Sequence, residues 1–219
     1  METKQHITIL GAAESGVGAA VLAKLKGWNV FVSDKGTIAP KYKDELLREE
    51  IAFEEGFHSD ERVLGAELII KSPGIPDKAP IVVEAHKRGI PVISEIEFAA
   101  RYTNAKLIAI TGTNGKTTTT LLTYHIFKKA GLNVGVAGNV GQSFARQVAQ
   151  TERDFYILEL SSFKKFVNKR EFSFKDIDEF DGNDVVLIVG NNGVGKSSIL
   201  QAIVLTTATA TREGFEISK

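Results

Sequence analysis

Residues Leu107–Thr120 read LIAITGTNGKTTTT. The apolar run Leu107–Ile110 has the character of a short buried strand, Thr111–Lys116 is a tight turn containing glycine, and Thr117 opens a helical pattern. Strand, turn and helix in that order suit a polyphosphate. The backbone N–H groups of Gly112, Thr113, Asn114, Gly115 and Lys116 converge on the anion, the helix N-terminus adds partial positive charge, and Lys116 adds a full one. Thr117 is expected to set a hydroxyl on Mg2+, with Thr118 beside it in the first helical turn. The match to G-x-x-x-x-G-K-[ST] is incomplete, because Ile110 stands where the first glycine belongs. A threonine-rich helix start with a chance Gly-Lys pair is the competing reading.

A chain of 219 residues is long enough for one large domain or two ordinary ones. With 27 basic and 27 acidic side chains the formal net charge is zero, so there is no global electrostatic case for nucleic acid or an anionic membrane. No apolar run reaches the length of a membrane span, and the N-terminus lacks the apolar core of a signal peptide. Cysteine is absent, which excludes disulfides and thiolate zinc sites. The expected location is cytoplasmic, and the oligomeric state is left open.

Working back from the central loop, His6–Leu10 reads as a strand, followed by GAAESGVGAA at 11–20 and a helix to about Lys26. A second strand, Trp28–Ser33, ends at Asp34. This is a βαβ opening with a phosphate-type turn, although the glycine spacing is not that of a dinucleotide site. Further on come a helix over about Pro40–Glu50, a strand near Ile51–Phe53 and a strand over Glu67–Lys71 that runs into SPGIP at Ser72–Pro76. Two prolines around a glycine make a rigid turn at the end of a strand, where open parallel sheets bind ligands; a plain connector is the alternative. A helix to about Arg88, a strand at Pro91–Ile93 and a helix from Ser94 to about Tyr102 complete this part.

Past the central loop, a helix runs to about Ala130 with Leu121, Leu122 and Ile126 on its expected core face, and Gly131 ends it. Val134–Ala137 reads as a strand turning through GNVG, 138–141. Asn139 there is either a turn residue or a substrate contact. Phe155–Leu160 is an apolar strand carrying one acid, Glu159. Burying a carboxylate in such a strand is costly without a partner, and magnesium beside the phosphate loop is the natural one.

The succession GAAESGVGAA, a strand ending in Ser-Asp with Lys35 beside it, SPGIP, SEIEFA, TGTNGKTT, GNVG and ELSSF resembles the Mur ligases, specifically their D-glutamate-adding branch. The resemblance runs nearly continuously over residues 1–163. It implies a Rossmann-like UDP-sugar domain over 1–98 and the first part of an ATP-binding central domain over 99–163. By that resemblance Ser15 and Gly16 meet the diphosphate of UDP-N-acetylmuramoyl-L-alanine, Asp34 and Lys35 the uridine side, and Ser72, Pro73 and Gly74 the base. Asn139 faces the substrate, and Glu159 with Thr117 holds Mg2+. The implied chemistry is carboxylate activation. ATP phosphorylates the L-alanine carboxylate, with Lys116 and Glu159 as the catalytic pair, and the amine of D-glutamate attacks the acyl phosphate.

At Lys164 this pattern stops, and KKFVNKREFSFKDIDEFDGNDVVLIVGNNGVGKSSILQAI follows. Val185–Val189 reads as a strand, and Gly190, Asn191, Asn192, Gly193, Val194, Gly195, Lys196 and Ser197 fit the phosphate-loop pattern in full, with Ser198 opening a helix. Ser197 is the expected magnesium ligand of this second loop. The segment from about Phe166 to Ile203 resembles the start of RecF- and SMC-type ATPases. The basic run Lys164–Arg170 reads as a solvated hairpin, with a contact to phosphate or nucleic acid as the alternative, and the tail at 206–219 offers no chemistry.

The expected fold is therefore α/β, a Rossmann-like parallel-sheet domain followed by a P-loop NTPase-type three-layer α/β domain in a truncated or chimeric arrangement, with a second P-loop segment over 164–219. The expected function is that of a D-glutamate-adding ligase, able to bind nucleotide or UDP-sugar without completing ligation alone. The alternatives are a RecF/SMC-like ATPase or a non-catalytic UDP-sugar-binding module. The strand at 185 is also expected to be able to complete the central sheet, since both loops belong to parallel α/β units.

Overall fold

The computed structural model describes residues 5–112 and 114–160, and the backbone of 185–188. The chain forms two compact units, the first from residues up to Thr103 together with Gln142–Glu152, the second from Asn104–Gly141 and the residues from Arg153 onward.

The first unit is built on a parallel sheet of β1 (His6–Leu10), β2 (Asn29–Asp34), β3 (Ala52–Glu55), β4 (Leu68–Lys71) and β5 (Val92–Ser94), in the order β3-β2-β1-β4-β5. Strand order reverses between β1 and β4, which sets a crevice beyond their C-terminal ends. The central strand is apolar because both faces are covered: Ile7, Ile9 and Leu10 are fully buried. On one face, helices α3 (Asp60–Leu64) and α4 (Pro80–Lys87) bring Val63, Leu64, Ile81, Val82 and Ala85 onto Leu10, Phe31 and Ile69. Helix α3 has no counterpart in the sequence reading; at five residues it is too short to show a helical period.

Helix α1 (Glu14–Leu25) packs against β1, β2, α2 (Pro40–Arg48), α5 (Glu95–Ala100) and α7 (Phe144–Gln150). With neighbours on several sides it is buried through small residues, Gly16, Gly18, Ala19, Ala20 and Ala23 among them, rather than through one apolar stripe. A Cβ on Gly18 would overlap the Ser143 hydroxyl, so glycine here permits the close approach of α1 and α7.

In the second unit β6 (Lys106–Ile110), β7 (Val134–Gly138), β8 (Phe155–Glu159) and β9 (Val185–Ile188) form a parallel sheet in the order β7-β8-β6-β9. Ile108, Ile110, Val134 and Ile157 form its core with Phe127 of helix α6 (Lys116–Lys129), whose ring meets that of Phe155 edge-on with centroids 5.3 Å apart. The strand preceding the second phosphate-loop pattern thus pairs with the strand preceding the first, Ile108 opposite Val186.

The expected core face of α6 is corrected. Leu121 and Leu122 are 43% and 45% exposed, and the buried face is Thr119, Thr120, Thr123 and Phe127. The helix phase is set by the turn that launches it: with Lys116 at its start, positions 120, 123 and 127 share the sheet-facing side and 122 points away. Threonines are accommodated in the interior because, for example, the Thr123 hydroxyl donates to the Thr119 carbonyl at 2.8 Å.

Candidate functional site

In the second unit, register brings three strand ends together: Ile110 lies opposite Glu159, and Glu159 opposite Gly138. Just beyond Ile110 the chain turns through Gly112 and Gly115. Gly115, with φ of 74°, is the residue before α6 and occupies the left-handed region that favours glycine. Lys116 Nζ donates to the Gly112 carbonyl at 2.7 Å, spanning the turn. Thr117 Oγ1 donates to Glu159 Oε1 at 3.1 Å, while Glu159 Oε2 is buried without a hydrogen-bond partner among the described residues. A buried carboxylate oxygen beside a threonine hydroxyl is a donor set that fits a hard divalent cation. The Thr120 hydroxyl, to which sequence reading gave no role, is also buried without a partner among the described residues, one turn along α6.

Gly138, at φ 98°, lies so close to β8 that a Cβ would overlap the backbone of Glu159. Asn139 then donates its N–H to the Glu159 carbonyl at 3.0 Å, leaving the residue exposed at the same sheet edge. Thr118 is exposed on the first turn of α6. Thr113, and the second-loop residues Gly190, Asn191, Asn192, Gly193, Gly195, Lys196, Ser197 and Ser198, lie outside the described residues.

In the first unit, Gly11 at φ 93° begins the turn into α1, and Gly16 packs so tightly on it that a Cβ would overlap the Gly11 carbonyl. Ser72 is buried against both glycines, its hydroxyl without a partner among the described residues, so SPGIP and the first turn meet at Ser72. Ser15 is half-buried on the first turn of α1. Lys71 braces SPGIP from below, donating to the Ile75 carbonyl at 2.6 Å and pairing with Asp77 at 3.2 Å. Pro73 and Gly74 are exposed.

A cleft of about 540 Å³ opens beside this turn, with Gly11, Asp34, Lys35, Phe57, His58 and Gly74 on its walls. Asp34 has each carboxylate oxygen engaged by backbone, Ala12 N–H at 2.6 Å and Gly36 N–H at 2.8 Å, and so holds two loops in place. Behind it lies a polar cluster with no flagged counterpart in the sequence reading: Ser33, Glu54, His58 and Ser59. The signal that singled out Glu159, an acid within a sheet strand, applies equally to Glu54 of β3, which is 7% exposed.

A second polar cluster ties α7 to this unit. Arg146 is bound by both carboxylate oxygens of Glu45, and its Nε donates to Glu14 at 2.8 Å. These carboxylates keep the guanidinium charged despite its burial. Ser143 N–H donates to Glu14 at 3.2 Å, and Ala145 N–H to the buried Glu95.

Residues 5–94 match the Mur ligase MurD-like N-terminal domain and residues 110–174 the Mur ligase middle domain, while residues 158–216 match an AAA domain. The UDP-N-acetylmuramoylalanine--D-glutamate ligase of Bacteroides thetaiotaomicron is 62% identical over 160 residues, which are 73% of this chain and 36% of that protein. The enzyme of the same name from Porphyromonas gingivalis is 60% identical over 161 residues, 74% of this chain and 36% of its own. Among solved structures, the murein peptide ligase of Psychrobacter arcticus aligns with a TM-score of 0.50 at 21% identity, covering 94% of this chain and 51% of its own. The UDP-N-acetylmuramate-alanine ligase of Thermotoga maritima aligns with a TM-score of 0.50 at 18% identity, covering 95% and 46%; these two likenesses speak to fold alone.

The parallel sheets, the glycine turn before α6 and these matches define the front of the chain as Mur ligase sequence, an N-terminal domain followed by the beginning of a middle domain. Within that family it is MurD-like, the type whose curated relatives are D-glutamate ligases. The chain spans about a third of the length of those relatives. Its later part, over residues 158–216, is similar to an AAA domain.

Proposed function

We propose that the Mur ligase part of this chain loads two phosphate-bearing substrates of a D-glutamate-adding ligase in the cytoplasm. The cleft of the first unit takes the UDP end of UDP-N-acetylmuramoyl-L-alanine, and the glycine turn of the second unit takes ATP with Mg2+. The observation that carries the reading is Glu159, buried at the strand edge with Oε1 on Thr117 and Oε2 without a partner among the described residues. Such a carboxylate is costly unless a cation completes it.

In this reading the N–H groups of the turn and the Lys116 ammonium bind phosphate oxygens, and Thr117 with Glu159 holds magnesium. Magnesium, when bound, supplies positive charge that offsets the negative charge on the phosphoryl oxygens during transfer. Lys116 adds its own charge and orients the γ-phosphoryl group. The transferred phosphorus leaves the oxygen of ADP and bonds to a carboxylate oxygen of the L-alanine. The amine of D-glutamate then attacks the acyl carbon, releasing phosphate and a proton as the amide forms. No described residue is assigned to D-glutamate.

The test is thermal unfolding of the full chain with each ligand added separately. At a hundredfold excess over its dissociation constant, a ligand specific for the folded state stabilises by about 2.7 kcal/mol. A raised melting temperature with UDP-N-acetylmuramoyl-L-alanine and with Mg·ATP is the expected result; no response to either overturns the reading. The AAA domain match over 158–216 favours a second reading for the rear of the chain, a further nucleotide loop at Gly190–Ser197. Lys196→Ala then removes a second equivalent of bound ATP.

A further inference from the structure

His58 lies in the loop between β3 and α3 and lines the cleft of the first unit. Its Nδ1 is 2.7 Å from Ser33 Oγ. Which atom carries the hydrogen of that bond is decided by Glu54. Glu54 accepts the Ser59 N–H at 2.8 Å and the Ser59 hydroxyl, and lies 2.6 Å from Ser33 Oγ. The Ser59 N–H and hydroxyl on this one carboxylate favour its ionised form. Burial opposes ionisation, yet the bonds from Ser33 and Ser59 hold the Glu54 carboxyl below its usual range.

An ionised carboxylate has no hydrogen to give, so the Ser33 hydroxyl donates to Glu54. A hydroxyl has one hydrogen. Ser33 Oγ therefore meets His58 with a lone pair, and His58 Nδ1 is the donor. In the neutral imidazole the other nitrogen, Nε2, is then a bare acceptor. Burial favours that neutral form, outweighing the nearby Glu54 and Asp34. Nε2 makes no hydrogen bond among the described residues and is not among the buried unpartnered atoms, so it is open on a residue that lines the cleft. Asp34, the acid expected on the uridine side, already has both oxygens on backbone N–H groups.

We infer that His58 Nε2 accepts the ring N–H of the uracil and selects uridine over cytidine at this cleft, an inference that rests on the cleft taking the UDP end of the substrate. Cytosine presents a lone pair at the ring nitrogen where uracil carries its hydrogen, so two acceptors would face each other. His58 is thus a specificity-determining residue whose tautomer is set from behind by Ser33 and Glu54.

The test is competitive equilibrium binding of UDP, CDP, N3-methyl-UDP and 2′-deoxy-UDP to the full chain, for wild type, His58→Asn and His58→Gln. Asparagine can keep a donor to Ser33 without an acceptor at the Nε2 position; glutamine can place an amide oxygen there. Wild type is expected to prefer UDP over CDP and N3-methyl-UDP by about 10- to 100-fold. That preference should be lost in His58→Asn and largely kept in His58→Gln, whereas a purely structural role for His58 predicts the reverse order. Equal binding of UDP and CDP by wild type, an unchanged preference in His58→Asn, or discrimination against 2′-deoxy-UDP alone overturns the inference and leaves the reading of the cleft standing. Absence of any uridine nucleotide binding by wild type overturns both. Long-range proton–nitrogen NMR gives an independent check that needs no variant: His58 should be the Nδ1–H tautomer, and finding the Nε2–H tautomer overturns the inference.

Discussion

The Thr117 hydroxyl donates to Glu159 Oε1 at 3.1 Å, joining the first turn of α6 to the last residue of β8 across 42 positions of sequence. The contact depends on strand register, since Glu159 pairs with Ile110, the residue that ends β6 ahead of the glycine turn. Slipping that pairing by one residue would turn the carboxylate to the other face of the sheet.

Glu159→Gln should therefore act through the cation. The amide preserves the hydrogen bond from Thr117 but removes the charge that a divalent ion requires. Affinity for ATP in excess magnesium is expected to fall by about tenfold or more, corresponding to the loss of one interaction of about 1.5–3 kcal/mol with a charged group. Binding of ATP in EDTA should be unchanged. Titration under the two conditions separates a cation ligand from a residue that merely supports the fold.

Gly16→Ala and Gly18→Ala test the packing of α1. A Cβ at either position overlaps an existing atom, the Gly11 carbonyl in one case and the Ser143 hydroxyl in the other. Each is expected to destabilise the fold by about 1–3 kcal/mol, and Gly16→Ala by more, because its obstruction is backbone that cannot rotate away. Denaturant unfolding measures both; an alanine tolerated at Gly16 would show that the turn is not packed as described.

Arg146→Met removes the cation that α7 places between Glu14 and Glu45. The Arg146 side chain is 10% exposed, against 16% for Glu45 and 37% for Glu14. Leaving these acids without their cation is expected to cost about 2–3 kcal/mol, less than a fully buried pair because Glu14 is substantially solvated. The loss should shrink in the Arg146→Met, Glu45→Leu double variant, since the second change removes the stranded charge.

Glu95 gives stability a pH dependence with a definite sign. Burial raises its pKa to about 7; the Ala145 and Phe144 N–H groups oppose that effect and nearby Glu14 adds to it. Between about pH 4.5 and 7 the folded state holds a proton that the unfolded state has released, so stability falls as pH rises through this window, by at most about 3 kcal/mol. His58 contributes the opposite slope below its ordinary value of 6.5, because its folded form resists protonation. The difference between wild type and Glu95→Gln isolates the Glu95 part. Urea unfolding at pH 5, 6, 7 and 8 should show that difference change up to pH 7 and level off above it.

Much of the fold was legible because parallel strands covered on both faces are written as apolar runs, as at His6–Leu10, Leu107–Ile110 and Phe155–Leu160. Glu159 stood out against such a run, and its meeting with Thr117 follows from the same register. The phase of α6 was not legible: Leu121 and Leu122 are the apolar choice by composition, yet the turn at Gly115 launches the helix with threonines toward the sheet. Nor was the Ser33–Glu54–His58 cluster, whose members come from separate segments and depend on the pairing of β2 with β3. The position of α7 is likewise a tertiary fact. Its few residues carry no period that would assign it to the first unit rather than to the strands that flank it in sequence.

Calorimetric titration of the full chain with Mg·ATP, comparing wild type with Lys116→Ala, decides whether the turn before α6 is a working nucleotide site. Saturable binding is expected in wild type, with an equivalent of bound ATP lost in Lys116→Ala whether or not Lys196 is intact. Identical stoichiometry and affinity in wild type and Lys116→Ala, with all binding abolished by Lys196→Ala, would contradict it and place the chain's nucleotide chemistry in the second loop.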